Sequence, residues 1–254
     1  MPLANGILRL ENFLPALSSF HLGDALNHRS GFTALIPLRA GSKSIPKKNI
    51  FPFQNKPLAY WALKAAIECP EIDRVVVATN GEEIERELRA HLEHPKFEII
   101  GRSDESASET APTETVLMEF AQNHDFSNLV LIQATSPLLS ALDLRGGIEK
   151  FKQGGYTSLL SVVPQRRFIW TEYGDVAMPM NYRPDCRPRR QEHEVVFIEN
   201  GAFYISSREA ILSSKCRISG RVGLYPMRPE TYFEIDEPED LRVVEKLFQR
   251  PDAT

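Results

Sequence analysis

Positive charge is concentrated in one short stretch, Pro37-Leu38-Arg39-Ala40-Gly41-Ser42-Lys43-Ser44-Ile45-Pro46-Lys47-Lys48-Asn49. Arg39, Lys43, Lys47 and Lys48 supply the cations, Ser42 a hydroxyl donor, and Gly41 room for close backbone approach. That combination suits a polyphosphate. Its spacing fits neither a Walker A loop nor GxGxxG, so P-loop and dinucleotide-binding readings fail. Composition alone leaves a basic surface loop as an equal alternative.

A second group lies near the C-terminus, in Phe233-Glu234-Ile235-Asp236-Glu237-Pro238. On a strand, residues two apart share a face, so Glu234 and Asp236 would converge into a divalent-cation site beside phosphates. An acidic pair by itself is more often structural, and Glu237, Glu239 and Asp240 suit the start of a helix opened by Pro238. Gln133-Ala134-Thr135-Ser136-Pro137 offers an amide and hydroxyls that could bind a sugar, or a polar turn capping the next helix. Arg183, Arg187, Arg189 and Arg190 form a Pro-interrupted cationic cluster. It reads as a localisation signal, an RNA contact or an anion site; the carboxylate reading is favoured because guanidinium pairs bidentately with that group.

The elements that must position these residues alternate. Strands are expected at Phe32–Pro37, Val75–Thr79, Phe97–Ile100, Leu129–Gln133, Ser158–Val163, Ala202–Ser206 and Tyr232–Ile235. Helices are expected at Leu58–Cys69, Glu82–Leu92, Thr113–Gln122, Asp143–Lys152 and Pro238–Gln249. Such alternation implies an α/β fold with a mostly parallel sheet covered on both faces, and ligands bind outside the carboxyl ends of such strands. The pattern breaks over residues 166–194, an excursion too long for an ordinary connection and hairpin-like in outline. Residues 1–31 read as an N-terminal extension without a signal-peptide core, and 32–250 as one domain.

Composition narrows the classes. The 254 residues carry 30 Lys plus Arg against 34 Asp plus Glu, a net charge of −4, which disfavours a generic nucleic-acid binder. No apolar run approaches the ~18 residues of a membrane span. The 3 cysteines lack metal-site spacing, and a reduced, cytoplasmic setting is the default expectation.

Taken in order, these blocks resemble the acylneuraminate cytidylyltransferases, the CMP-sialic acid synthetases. The resemblance is carried by Pro37–Asn49, Val77-Ala78-Thr79-Asn80, Gln133–Pro137, Arg187-Pro188-Arg189-Arg190-Gln191, Glu199-Asn200-Gly201-Ala202 and Ile235-Asp236, across residues 32–250. It implies a three-layer nucleotide-diphospho-sugar transferase-like fold with a mixed, mostly parallel sheet. It also implies Mg²⁺ (or Mn²⁺), CTP, a nine-carbon keto-acid sugar and a homodimer with shared sites, cytoplasmic or, in a eukaryote, nuclear.

Carried over by position, Leu38, Arg39, Ser42, Lys43, Lys48, Asn49, Arg102 and Thr113 would meet the nucleotide. Gln133, Thr135, Ser136, Arg189 and Arg190 would meet the sugar, the arginines from a partner subunit through the 166–194 excursion. Glu234 and Asp236 would hold the metal, with Arg39, Lys48 and Asp236 closest to catalysis. The chain departs from the family pattern at Ala40 and Ser44, often Gly; at Leu139, Arg in many bacterial relatives; and at Glu234, more usually Asp. Legionaminate, pseudaminate, Kdn or Kdo as the acceptor sugar, or a non-catalytic nucleotide-sugar binder, are the competing readings.

Overall fold

The computed structural model describes residues 31–249 except 43 and 109. The expected extension, Gly31 apart, and Lys43 therefore lie outside the described residues. Seven strands form one sheet: β1 (Phe32–Leu38), β4 (Ile72–Thr79), β5 (Phe97–Ile100), β6 (Asn128–Ile132), β7 (Ser158–Gln165), β10 (Val196–Ser207) and β11 (Val222–Pro226). Two further pairs stand apart, β2 (Pro52–Phe53) with β3 (Lys56–Pro57), and β8 (Trp170–Tyr173) with β9 (Val176–Pro179). The α-helices of the described residues are α1 (Leu58–Glu68), α2 (Glu82–His91), α3 (Asp104–Ala107), α4 (Thr113–Asn123), α5 (Ala141–Gly154), α6 (Arg208–Ser214) and α7 (Pro238–Phe248).

The sheet order is β11-β7-β10-β6-β1-β4-β5. Every neighbouring pair is parallel except the two that involve β10, which runs antiparallel to both β6 and β7. The expected mixed, mostly parallel sheet is therefore present.

Both faces are covered because the central strands carry consecutive apolar residues, which point alternately to the two sides. Ala34, Ile36 and Leu38 of β1 pack with Leu63 of α1, Leu88 of α2 and Leu144 of α5. Leu35, one residue out of phase, points the other way and packs with Val116, Leu117 and Phe120 of α4 and Ile211 of α6. Helix boundaries follow local chemistry. Ser140 and Asp143 form a capping box at the start of α5, and Gly155 ends it in a left-handed conformation, φ 58°. Glu237 and Asp240 cap α7 in the same reciprocal way, with Pro238 in its first turn.

A third apolar cluster lies beside the main core. Ile45, Phe53, Leu58, Leu138, Ile235 and Val244 meet there, joining the basic loop after β1 to the C-terminal segment. The tight β2–β3 turn that carries Phe53 uses Gln54 and Asn55 at φ 51° and 62°, the two positive angles such a hairpin turn requires.

One expected strand is absent. Tyr232–Ile235 joins no ladder: Pro229–Tyr232 is a short 3-10 helix, and residues 233–235 run extended without a neighbouring strand. One backbone bond stands in for pairing, from the Ile235 amide to the Thr135 carbonyl at 2.8 Å. The sequence reading also passed over α6 and β11. The latter is a short edge strand containing Gly223 and Pro226, residues that mask a strand signal and are tolerated at a sheet edge.

Ile235 is fully buried, so Ile235→Ala should destabilise the protein by about 2–4 kcal/mol. Urea unfolding would measure it. A loss under about 1 kcal/mol would mean the third cluster adapts freely and does not anchor the C-terminal segment.

Candidate active site

A cavity of about 520 Å³ opens where β1 and β6 end, lined among others by Arg39, Ser42, Lys48, Asn49, Arg102, Thr113, Gln133, Thr135, Glu234 and Asp236. Ten of the sequence-derived candidates thus converge on one space. The loop after β1 is shaped by its own bonds. The Asn49 side-chain amide donates to the Arg39 carbonyl at 2.9 Å, Lys48 to Ile50 form a 3-10 turn, and Ile45 is buried in the third cluster.

Lys48 Nζ meets Asp236 Oδ1 at 2.8 Å, bridging residues 188 apart in the chain. Ser44 Oγ donates to the Asp236 carbonyl at 2.5 Å. The departure from Gly at position 44 thus adds a tether between the basic loop and the acidic segment. Glu234 and Asp236 flank buried Ile235, and both line the cavity. The two-residue spacing works here without a ladder, because extended backbone alternates its side chains whether or not it is paired.

Glu234 is half-buried, and Thr135 Oγ1 lies 3.4 Å from its Oε2. Its carboxyl titrates above the ordinary range, chiefly because burial disfavours the anion and then because Asp236 repels it. Gly201 explains the close approach behind it. This residue sits at φ +66°, and a Cβ there would lie 3.1 Å from Glu234 Oε2. Its neighbour Asn200 is buried and donates to the Thr231 carbonyl at 3.0 Å, pinning the 3-10 turn that leads to Glu234. The Glu199–Ala202 block is therefore scaffolding behind the carboxylates.

Electrostatics differ across the cavity. Arg102 is pulled below the usual guanidinium range, first by burial, with Arg39 adding repulsion against a compensating Glu119. Arg102 Nε donates to Ser106 Oγ at 3.2 Å. Among the described residues, no group of three or more His, Cys, Asp or Glu could hold a metal ion. A two-carboxylate site still suits Mg²⁺, which keeps waters and completes its shell with substrate phosphate oxygens. Glu234 and Asp236 fit that donor set, because an oxygen-binding dication would relieve their mutual repulsion.

Other candidates fall elsewhere. The Leu38 side chain is fully buried in the core and does not reach the cavity. Ser136 is buried outside the lining, its hydroxyl without a hydrogen-bond partner. Arg189 and Arg190 are exposed on the excursion and do not line the cavity of their own chain. Of the other cluster arginines, Arg183 pairs with Asp185 at 2.6 Å and Arg187 stacks 4.2 Å from the Phe168 ring centre. Lys47 turns away to Glu83 of α2 at 2.6 Å, and Leu139, the departure from Arg, is a core residue. Sequence reasoning missed Arg217, which lines the cavity after forming two bonds to Glu114. Its only signal was a lone arginine in an otherwise unremarked stretch.

Fold and cleft together define an α/β protein whose site, at the carboxyl ends of parallel strands, is equipped for a polyphosphate. The sequence matches the family described as cytidylyltransferase over residues 33–252. The chain belongs to that family. It is 35% identical over 223 residues to N-acylneuraminate cytidylyltransferase A of Danio rerio, covering 86% of this chain and 51% of the relative. It is also 28% identical over 224 residues to the pseudaminic acid cytidylyltransferase of Campylobacter jejuni subsp. jejuni serotype O:23/36, covering 85% and 95%. The chain spans about half the length of the N-acylneuraminate relative from Danio rerio. Among solved structures, CMP:2-keto-3-deoxy-manno-octonic acid synthetase complexed with CTP superimposes with a TM-score of 0.64 at 15% identity, covering 86% of this chain and 98% of that one. That likeness establishes the shared fold.

A desolvated carboxylate makes a signed prediction. Glu234 holds its proton to higher pH folded than unfolded, so stability falls as pH rises from the ordinary carboxylate range through that raised value. Glu234→Gln should therefore raise the Tm of the ligand-free protein near neutral pH, and the gain should vanish in acid. A Tm gain that persists unchanged in acid would assign the effect to packing.

Proposed function

We propose that this chain transfers CMP from CTP to the anomeric hydroxyl of a sialic acid or a similar keto-acid sugar, releasing pyrophosphate. The observation that carries the reading is a single cavity uniting Arg39 and Lys48 from the basic loop, the Glu234/Asp236 pair, and Gln133 and Thr135 at the end of β6. The names of the matched relatives support it: one concerns N-acylneuraminate, the other pseudaminic acid. A non-catalytic binder would have no need of the lysine and both carboxylates, and all three are present.

In this reading the sugar hydroxyl attacks the α-phosphorus, a new O–P bond forms, and the bond to the β-phosphate oxygen breaks. Catalysis of this kind is mostly positioning and charge neutralisation. Arg39, Ser42, Lys43, Lys48 and Asn49 hold the phosphates, and Arg102 and Thr113 meet the nucleoside side. Gln133 and Thr135 orient the acceptor. Glu234 and Asp236 would hold Mg²⁺ or Mn²⁺, which when bound supplies Lewis-acid polarisation of the phosphate. Lys48 then has two partners in turn, Asp236 before the substrate arrives and a phosphate afterwards.

The excursion supplies the acceptor's carboxylate partner in this scheme. Trp170, Tyr173, Val176, Met178 and Met180 are exposed on the β8–β9 hairpin, an apolar surface that favours pairing with a second copy. A homodimer would then carry Arg189 and Arg190 into the neighbouring cavity. Three free cysteines agree with a reducing, cytoplasmic setting, nuclear in a eukaryote; no helix among the described residues is long and apolar enough to cross a membrane.

Pyrophosphate release should require CTP, a keto-acid sugar and Mg²⁺ or Mn²⁺, and the preferred sugar in a panel identifies the acceptor. Equal turnover of CTP, UTP and GTP, or full activity in EDTA, would refute the scheme. Asp236→Asn should lower kcat by about 100-fold or more with little change in Tm, and Lys48→Ala should cost at least about 2 kcal/mol of transition-state stabilisation. For the shared site, inactive Arg189→Ala and inactive Asp236→Asn subunits are mixed. Recovered activity after subunit exchange supports it, and none after proven exchange favours a flap over the chain's own site.

A further inference from the structure

One wall of the cavity is built from Arg102, Ser106, Ser108, Ala111, Pro112 and Thr113. Among its described residues, the only regular structure before α4 is the four-residue turn of α3. A wall so poor in ladders keeps its shape only if its ends are held. At the first end, Ser103 donates from its amide and its hydroxyl to Glu119 of α4, at 2.8 and 3.0 Å. The second end runs into the first turn of α4, whose N-cap, Pro112, provides no side-chain cap.

Glu114, in that first turn, ties it to another part of the fold instead. It accepts a two-pronged bond from Arg217, Nε at 2.6 Å and Nη2 at 2.8 Å, across 103 residues of chain. Both side chains are largely shielded, 18% exposed for Arg217 and 27% for Glu114. The guanidinium lies 5.1 Å from the centre of the Tyr204 ring, and the Tyr204 hydroxyl donates to Glu199. The Arg217 carbonyl accepts from Ser206 Oγ at 2.7 Å. Arg217 is therefore fixed at its backbone, at the face of its guanidinium and at its fork. Both prongs of its fork are taken by Glu114, whereas Lys48 holds Asp236 by one bond, so Arg217 is the less able of the two to turn to an anion.

We propose that the Arg217–Glu114 pair positions the 102–113 wall, setting how Thr113 and its neighbours meet the nucleoside of CTP, without contacting the reacting phosphates. The proposal rests on the CTP reading given above and adds to it a residue that acts through another. It separates from direct acceptor binding by Arg217, which predicts the opposite kinetic pattern.

Arg217→Lys keeps the charge and loses the fork, and Glu114→Gln keeps the shape and loses the ion pair. Amide hydrogen exchange on the ligand-free protein judges the pair independently of any activity. Both variants should speed exchange at the first amides that α4 protects, Val116 and Leu117, with β1 and β6 amides unchanged as the control for global destabilisation. In steady-state assays, KM for CTP should rise about tenfold, with kcat and the acceptor KM within about twofold of wild type. The double variant should be no worse than the poorer single one, since both remove one interaction. Unchanged exchange in α4, or a defect confined to acceptor KM or to kcat, overturns the proposal. A wild-type protein that neither binds nor turns over CTP refutes the CTP reading and, with it, the nucleoside role, whereas the exchange arm alone decides whether the pair holds the wall.

Discussion

Ile235 is held twice, by its amide on the Thr135 carbonyl and by its side chain in the cluster under α7. The residues on either side of it are the acidic pair, so these two attachments decide where Glu234 and Asp236 stand. The same cluster contains Ile45 from the basic loop and Leu138 from the turn after β6. One apolar contact set thereby brings together three stretches remote in sequence, each carrying a different chemical group. Burial of this kind is non-directional, and the single 2.8 Å backbone bond supplies the direction.

Charges in the cavity are arranged at some cost. Glu234 and Arg102 are each drawn out of water far enough to disfavour their charged forms. Groups held in that condition gain most from a ligand of complementary charge, because the desolvation has already been met in folding. The Lys48–Asp236 pair shows the reverse arrangement, opposite charges in contact at 2.8 Å, with the lysine largely shielded and the carboxylate half exposed. Substrate binding at such a site is an exchange of partners.

The excursion between β7 and β10 follows another logic. Its base is ordered by stacked rings, Phe168 on His193 at 4.5 Å and Phe168 against Tyr182 at 4.7 Å, and by His193 bonding the Arg167 carbonyl at 3.1 Å. Beyond that base the hairpin turns its apolar side chains outward. The root of this element thus has an internal core, and its tip is left uncovered by the rest of the described chain.

The alternation of strands and helices was legible because β1, β4 and β6 each contain a run of consecutive apolar residues, a pattern that burial on both faces imposes on residue type. The basic loop stood out for a similar reason: Gly and several cations fall within a few consecutive positions, the composition a polyphosphate site would use. Helix starts at Ser140 and Glu237 were written locally by capping chemistry. The sequence could not say that residues 233–235 lack a strand partner, since an extended segment and a strand share the same side-chain alternation. Nor could it separate Lys48, which faces the cavity, from Lys47, which turns to Glu83, because that choice depends on a left-handed residue at φ 55°. Arg217 was invisible, as its partner Glu114 lies 103 residues away. Local chemistry and periodicity, which act over a few residues, were set by the sequence alone. The meeting of Lys48 with Asp236 and of Glu114 with Arg217 was decided only when the core closed, because long-range pairing depends on packing that no local pattern records.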